Sequence, residues 1–392
     1  MSSNSLKIII LGYIVRGPIG GRVWADLHYF LGLSKLGHDV YFVEDSGDYQ
    51  YCCYDFSKNS VTSDPSYGVK IASNIFRHFE YNDRWSYYNA LSKTWFGISD
   101  GKIKKIIKEA DLLIAFGRLH QLRPWFERVP IRILIDKDPV FIQLNNIKQK
   151  SARVETEKYN RYFSLAENIN HLDCFMPDDG IAWRPTRHPL FLDSWPKMPI
   201  ENRGSFTTLM QWDSYNVEEY NGIYYGMKAE SFKKIIDLPG KLNSTFELVV
   251  GGTNLAKELL EEKGWIIKEK LTESGDIWKY QNYIQNSKAE FTIAKHGYVI
   301  SNSGWFSERS ASYLASGRPV ITQQTGFSKW LPTGEGVLAF KNMKQAIAAV
   351  EEVNNRYEFH CKKAREIAEE YFDYRKILPK LINNAMGSIS VE

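Results

Sequence analysis

The hydrophobic pattern opens with a continuous apolar run, KIIILGYIV, as expected of a strand buried on both faces of a parallel sheet. A glycine loop, GPIGG, follows, and then apolar residues at helical spacing in VWADLHYFLGLSKLG, with Gly37 as the stop. HDVYFVED reads as a second strand that ends in acids. Strand, glycine loop, helix and strand in this order open a Rossmann-like unit. DGKIKKIIKEA predicts a basic helix, and DLLIAFG and IRILID predict two further strands, the latter leading into Asp136 and Asp138. Residues 141–172 predict helices outside the sheet, whereas 49–100 give no clean period.

Between 177 and 205 the pattern breaks. Pro177, Pro185, Pro189, Pro196 and Pro199 are too many for a helix and wrong for a central strand, so the segment predicts an interdomain linker. A second alternation then begins. FTTLMQW, FELVVGG, GWIIKE, AEFTIAK, PVITQ and VLAF predict strands; GMKAESFKKIIDL, NLAKELLEEKG, IWKYQNYIQNS and SERSASYLASG predict the helices between them. The chain closes with helical stretches at 342–354 and 356–384.

Composition narrows the class. At about 150 residues per domain, 392 residues predict two domains. With 43% hydrophobic and 24% charged residues, long disorder is excluded. No run of about 18 apolar residues is present, so no spanning helix is expected. The opening segment reads as a first core strand rather than a cleavable signal. Four cysteines without metal spacing point to a reducing cytoplasm, and a net charge of +4 argues against a dedicated nucleic-acid coat. Aromatic residues make up 14%, which predicts either stacking surfaces or a ring-rich core.

The segment with most chemistry is 289–340. A strand feeds a loop with Lys295, His296 and Gly297; a helix starts near Ser307, Glu308 and Arg309; a later loop holds Thr325 and Gly326. Unpaired backbone N–H groups and the dipole of a helix start form an anion site, and Lys295 and Arg309 add charge against a diphosphate. YLASGRPVITQQTG, with GWFSERS, LPTGEGVLAF, LGYIVRGPIGG, LGHDVYFVED, DKDP and AEEYFDYRKIL, resembles the bacterial glycosyltransferases of the GT-B fold, akin to glycosyltransferase families 1 and 4.

That resemblance implies an α/β fold of two Rossmann-like domains facing a cleft, with a C-terminal helix crossing back to the first. The expected divisions are an acceptor domain at 1–180, a nucleotide-sugar donor domain at 181–355 and a returning helical segment at 356–392. It also implies a nucleoside-diphosphate sugar donor, foremost a UDP-sugar, with no metal strictly required. Lys228, near the first loop of the second domain, would bind phosphate. Trp212 and Tyr225 would cover the base or pack in the core. Where many retaining enzymes of this fold carry a ribose-binding glutamate five residues before the glycine, this chain has Ser312, with Glu308 one turn earlier.

In the first domain, Gly20 and Gly21 would let the backbone approach a sugar or phosphate, or simply make a tight turn. Arg16 and Arg22 flank them, and Glu44 ends the second strand at the same edge. A base near the acceptor hydroxyl would be Asp138 or Asp136, at the carboxyl end of IRILID, unless the leaving phosphate takes the proton. The acceptor stays open between a glycan, a natural product and a hydroxylated DNA base, the last because Lys102–Lys108 and the aromatic 76–96 stretch could form a polyanion-binding surface. A nucleotide-sugar epimerase and a non-catalytic nucleotide-sugar-binding protein are the rival readings.

Overall fold

A computed structural model describes residues 5–214, 216–252 and 257–387. In the first half, β1 (Lys7–Leu11), β2 (Asp39–Asp45), a small hairpin of β3 (Cys53–Asp55) and β4 (Ser60–Thr62), β5 (Trp85–Asn89), β6 (Thr94–Gly97), β7 (Leu112–Phe116), β8 (Ile131–Asp136), β9 (Arg161–Ser164) and β10 (Arg184–Pro185) alternate with α1 (Gly20–Lys35), α2 (Ser66–His78), α3 (Asp100–Lys108), α4 (Pro124–Glu127), α5 (Phe141–Lys148) and α6 (Lys150–Glu157). Among the described residues the first sheet runs β10-β9-β8-β7-β1-β2-β5-β6. Its pairs are parallel except for the β5–β6 hairpin at the edge. Ile8 to Leu11 are fully buried, which is why β1 reads as an unbroken apolar run.

The second half holds β11 (Phe206–Gln211), a hairpin of β12 (Glu218–Tyr220) and β13 (Ile223–Tyr225), β14 (Phe246–Gly251), β15 (Ile266–Lys268), β16 (Ala289–Thr292), β17 (Val320–Gln323) and β18 (Val337–Phe340). Between them lie α7 (Lys228–Phe232), α8 (Lys257–Glu262), α9 (Lys270–Ser274), α10 (Ile277–Asn286), α11 (His296–Ile300) and α12 (Glu308–Ala315), and α13 (Met343–Asn355), α14 (Tyr357–Tyr371) and α15 (Tyr374–Met386) follow. The second sheet is parallel, in the order β15-β14-β11-β16-β17-β18.

Three local expectations need correction. The 141–172 region contains a strand, β9, beside its two helices; RYFS is too short and too polar to announce itself. The proline-rich segment begins inside the first sheet, because β10 pairs with β9. Proline is tolerated there because β10 is the edge strand. The final helix is two helices: Leu190 of the linker bonds to the backbone of Phe372 and Tyr374, and Asp373 caps α15 by accepting from the Arg375 N–H, so the helical hydrogen-bond ladder stops at 372. Of the helix predicted over 254–264, residues 254–256 lie outside the described residues, as do 1–4 and 388–392.

The carboxyl ends of the two sheets meet. The start of α1 touches the start of α10, where a methyl on Gly20 would lie 2.2 Å from the Asp276 carbonyl oxygen. Trp24 donates its indole N–H to the Ile277 carbonyl at 2.9 Å. Farther along the same edge, a Cβ on Gly297 would meet Phe141 of α5 at 2.9 Å, and the left-handed Gly326 (φ 94°) leaves room for Asn168, whose amide donates to its carbonyl at 3.1 Å. α15 lies on α1, with Leu378 and Tyr374 against Gly32, and Arg161 of β9 donates to the Ala385 carbonyl.

Candidate functional site

The loop after β8 carries three charged residues with three fates. Asp136 is wholly buried; its carboxylate accepts from the Asp138 N–H at 2.8 Å, Gln143 at 3.0 Å and Ser164 at 2.9 Å. Burial raises its pKa to about 7 against those bonds. No oxygen of Asp136 is turned toward the second half, and its geometry is that of a brace for the DKDP turn. Asp136→Asn would set an amide donor against donors. We expect a loss of about 1–3 kcal/mol in unfolding free energy, read by denaturant melts, with ligand affinity in the surviving fold unchanged.

Lys137 bonds Asp26 of α1 at 2.7 Å and sits over the Phe116 ring; burial lowers its pKa although Asp26 opposes this. Asp138 reaches across to the second half. It accepts from Lys295 Nζ at 2.8 and 2.9 Å and from the Tyr298 hydroxyl.

On the opposite wall stand Lys228, Lys295 and Arg309. Lys228 opens α7, is 8% exposed, and has neither a hydrogen bond nor an ion pair at its ammonium among the described residues. Burial, then the charges of Arg309 and Lys295, push its pKa down to about 7. A buried ammonium in this state is unfavourable until an anion arrives. Arg309 is different: its guanidinium bonds Glu290 and Thr292 inside the second half, so it is a charge already paired rather than a free fork. Ser307 caps α12 by accepting from the Arg309 N–H at 3.3 Å. Ser312 donates to the Glu308 carbonyl at 3.1 Å.

Glu308, also in the first turn of α12, faces the first half. Its carboxylate is 3.5 Å from His188 Nε2, and its side chain is 37% exposed. Burial pushes its pKa up, but His188, Lys137 and Arg309 outweigh this and lower it. Burial holds His188 near 4 and His28 near 3, so both imidazoles are neutral at pH 7. Nε2 of each, and the Tyr29 hydroxyl, are buried without a hydrogen-bond partner among the described residues. Lys137, Asp26 and His188 were not singled out from the sequence. Lys137 stands inside DKDP, which drew attention only for its acids, and His188 stands among prolines that read as a linker.

Other expected residues are placed differently. Gly20 and Gly21 pack against Asp276 and Tyr280 of α10, which explains the glycine pair by helix contact rather than by phosphate approach. His296 accepts the Gly226 N–H at 3.3 Å, and burial lowers its pKa. Thr325 donates to the Trp305 carbonyl at 2.6 Å, and with Gly297 and Gly326 it belongs to the seam between halves, not to an open anion cradle. Glu44 accepts the backbone N–H groups of Ile14, Val15 and Arg16 at 2.6–2.9 Å; burial nevertheless raises its pKa to about 7. It fixes the loop after β1. Arg16 donates to the carbonyls of Leu119 and Asp45, and Arg22 lies 3.9 Å from Asp26.

The rings are mostly core. Phe76, Trp85 and Tyr87 are buried, as are Trp212, Tyr225 and Phe327, while Tyr298, whose hydroxyl meets Asp138, lies tilted at 43° to Trp305 with ring centroids 4.7 Å apart. Lys104 and Lys105 pair with Asp100 and Glu109 on the surface of α3. Among the described residues no helix is long and apolar enough to cross a membrane, and no cluster of His, Cys, Asp and Glu has metal-holding geometry.

No family model and no curated protein sequence matches the chain. Solved structures do. An α-glucosyltransferase in complex with UDP-glucose and DNA containing an abasic site matches with a TM-score of 0.61 at 10% identity, over 98% of this chain and 100% of that one. A sucrose-phosphate synthase from Thermosynechococcus elongatus matches at 0.55 and 10% identity, over 96% and 98%. HepE of Anabaena, in complex with UDP and glucose, matches at 0.54 and 10% identity, over 98% and 100%. At such identities the likeness is one of architecture: the fold is GT-B.

Proposed function

We propose that this GT-B chain is a glycosyltransferase that moves a sugar from a nucleoside diphosphate, a UDP-sugar, to a hydroxyl acceptor. The observation that carries the reading is Lys228: a buried ammonium without an anionic partner, beside Lys295 and the start of α12, at the carboxyl edge of a parallel sheet. A diphosphate supplies what that group lacks. The similar structures with UDP or UDP-glucose bound support the donor class.

In this reading the units divide after Pro185: the first holds the acceptor, the second the donor, and α15 returns to the first. The acceptor oxygen forms a bond to the anomeric carbon as the bond from that carbon to the β-phosphate oxygen breaks. The acceptor proton passes to Asp138 or to the departing phosphate. Lys228 and Lys295 stabilise the charge that grows on the leaving diphosphate, so no metal has to do so. Asp138 holds Lys295 across the seam, and the ligand would exchange that contact for its own. Glu308 and His188 face each other where the transferred sugar would lie between the halves. The acceptor is a glycan, a natural product or a hydroxylated DNA base; the α-glucosyltransferase with DNA is a precedent for the last in the same fold. Four free thiols suit a cytoplasmic protein.

The test is a thermal-shift screen against nucleoside diphosphates and their sugars. UDP and UDP-sugars should raise the midpoint, and uridine should not. No shift with any nucleoside diphosphate would overturn the reading. An epimerase would release an altered sugar without any acceptor, an outcome that product analysis separates from transfer.

A further inference from the structure

The loops after β2 and β7 flank the end of β1, the point where the strand order of the first sheet reverses direction, and ligands of open α/β sheets sit at such points. A cavity of about 380 Å³ opens there, lined by Asp48, Tyr49, Arg118, Leu119, His120 and Glu155 among others. Two of its groups are incomplete.

Arg118 is held by amides alone: its guanidinium donates to Asn145 Oδ1 at 2.8 Å and to Asn146 Oδ1 at 3.1 Å, and no carboxylate lies within ion-pair distance among the described residues. The two acids that share the cavity are each paired elsewhere: Asp48 meets Arg123 at 2.9 Å, which also holds Asp45, and Glu155 meets Lys158 at 2.9 Å, which also reaches Glu127. Arg118 itself is therefore spent on neither acid: its guanidinium is aimed by neutral groups and has donors to spare. His120 is 5% exposed; its Nδ1 is 3.3 Å from the Asp45 carbonyl, and its Nε2 is buried with no hydrogen-bond partner among the described residues. Buried polar atoms are almost always satisfied, so the vacancy at Nε2 points to a ligand. At the mouth, Tyr49 is 64% exposed under the Arg16 guanidinium, a flat face on which a ring can lie.

We infer that this cavity is the acceptor site and that it takes a small acceptor carrying a phosphate monoester, with the phosphoryl oxygens on Arg118 and a hydroxyl at His120 Nε2. The inference rests on the transferase reading for the word acceptor, but the phosphate site stands on geometry of the first unit alone. It narrows the acceptor to a molecule that an earlier kinase-type reaction has phosphorylated.

Titration calorimetry on the full chain tests it with phenyl phosphate, glucose 6-phosphate, phenol and an oligonucleotide lacking terminal phosphates. Both monoesters should bind, and phenol at least tenfold more weakly. Arg118→Ala should cost the monoesters tenfold or more, Arg118→Lys should retain part of the affinity, and neither should change the affinity for UDP. His120→Ala should weaken glucose 6-phosphate while sparing phenyl phosphate, which has no hydroxyl to offer. Equal binding of phenol and phenyl phosphate, indifference to Arg118→Ala, displacement of the monoesters by UDP, or Arg118-dependent binding of the oligonucleotide alone would each overturn the inference. If UDP fails to bind while Arg118-dependent monoester binding persists, the transferase reading falls and the phosphate site stands.

Discussion

Lys228→Met should abolish measurable UDP binding, with a loss of at least a hundredfold, and should leave the free protein as stable as before or more so. The two signs are the point. An unpaired buried ammonium is a cost in the empty protein, and a methionine of similar length removes that cost. In the complex the same ammonium meets a diphosphate, and removing it leaves the anion against Lys295 alone. A lysine with an ordinary structural role would show the reverse: lower stability and little change in affinity.

The pH dependence follows from the same residue. Its folded pKa, about 7, lies below its usual value of 10.5, so between those values the unfolded chain binds more protons. The contribution of Lys228 to stability therefore rises with pH across this window and is lost as pH falls through 7. UDP reverses the shift because it favours the charged form. At pH 8 UDP binding should take up a proton, visible as a dependence of the calorimetric enthalpy on buffer ionisation heat, and Lys228→Met should lack it.

Asp138→Asn should lower kcat by about a hundredfold to ten-thousandfold if the carboxylate takes the acceptor proton. Asp138 is the one acid of the DKDP turn that faces the second half, where it meets Lys295 and Tyr298. Asparagine keeps the shape and can still accept from one of them, so KM for the donor should move far less than kcat. A fall in KM affinity with kcat intact would instead make Asp138 a latch between the halves. Turnover by the wild type and the variant, with donor saturating, separates the two roles.

Much of this architecture could be read from the chain, and the exceptions have physical causes. The core strands announce themselves because burial on both faces demands unbroken apolar runs, as at Ile8–Leu11 and Leu112–Phe116. Strand β9 escaped because its burial comes from neighbours supplied by α15 and β8, not from its own composition. The break at Phe372–Asp373 escaped because it is imposed by Leu190, 182 residues away in sequence, through backbone bonds that no side chain encodes. At the site, the type and position of Lys228 and Lys295 were legible from loop-to-helix boundaries. Their difference from Arg309 was not, because Glu290, which neutralises Arg309, sits on a strand that reads only as apolar core. Gly20 and Gly21 mark a close approach, as glycines do, but what approaches is α10, and only the packed chain identifies it.

The central claim is that Lys228 is the anion contact of a bound nucleoside diphosphate. A crystal structure of the protein with UDP tests it most directly. The account predicts diphosphate oxygens within hydrogen-bond distance of Lys228 Nζ, beside Lys295 and the N-terminus of α12; UDP bound elsewhere, with Lys228 still unpaired, would contradict it.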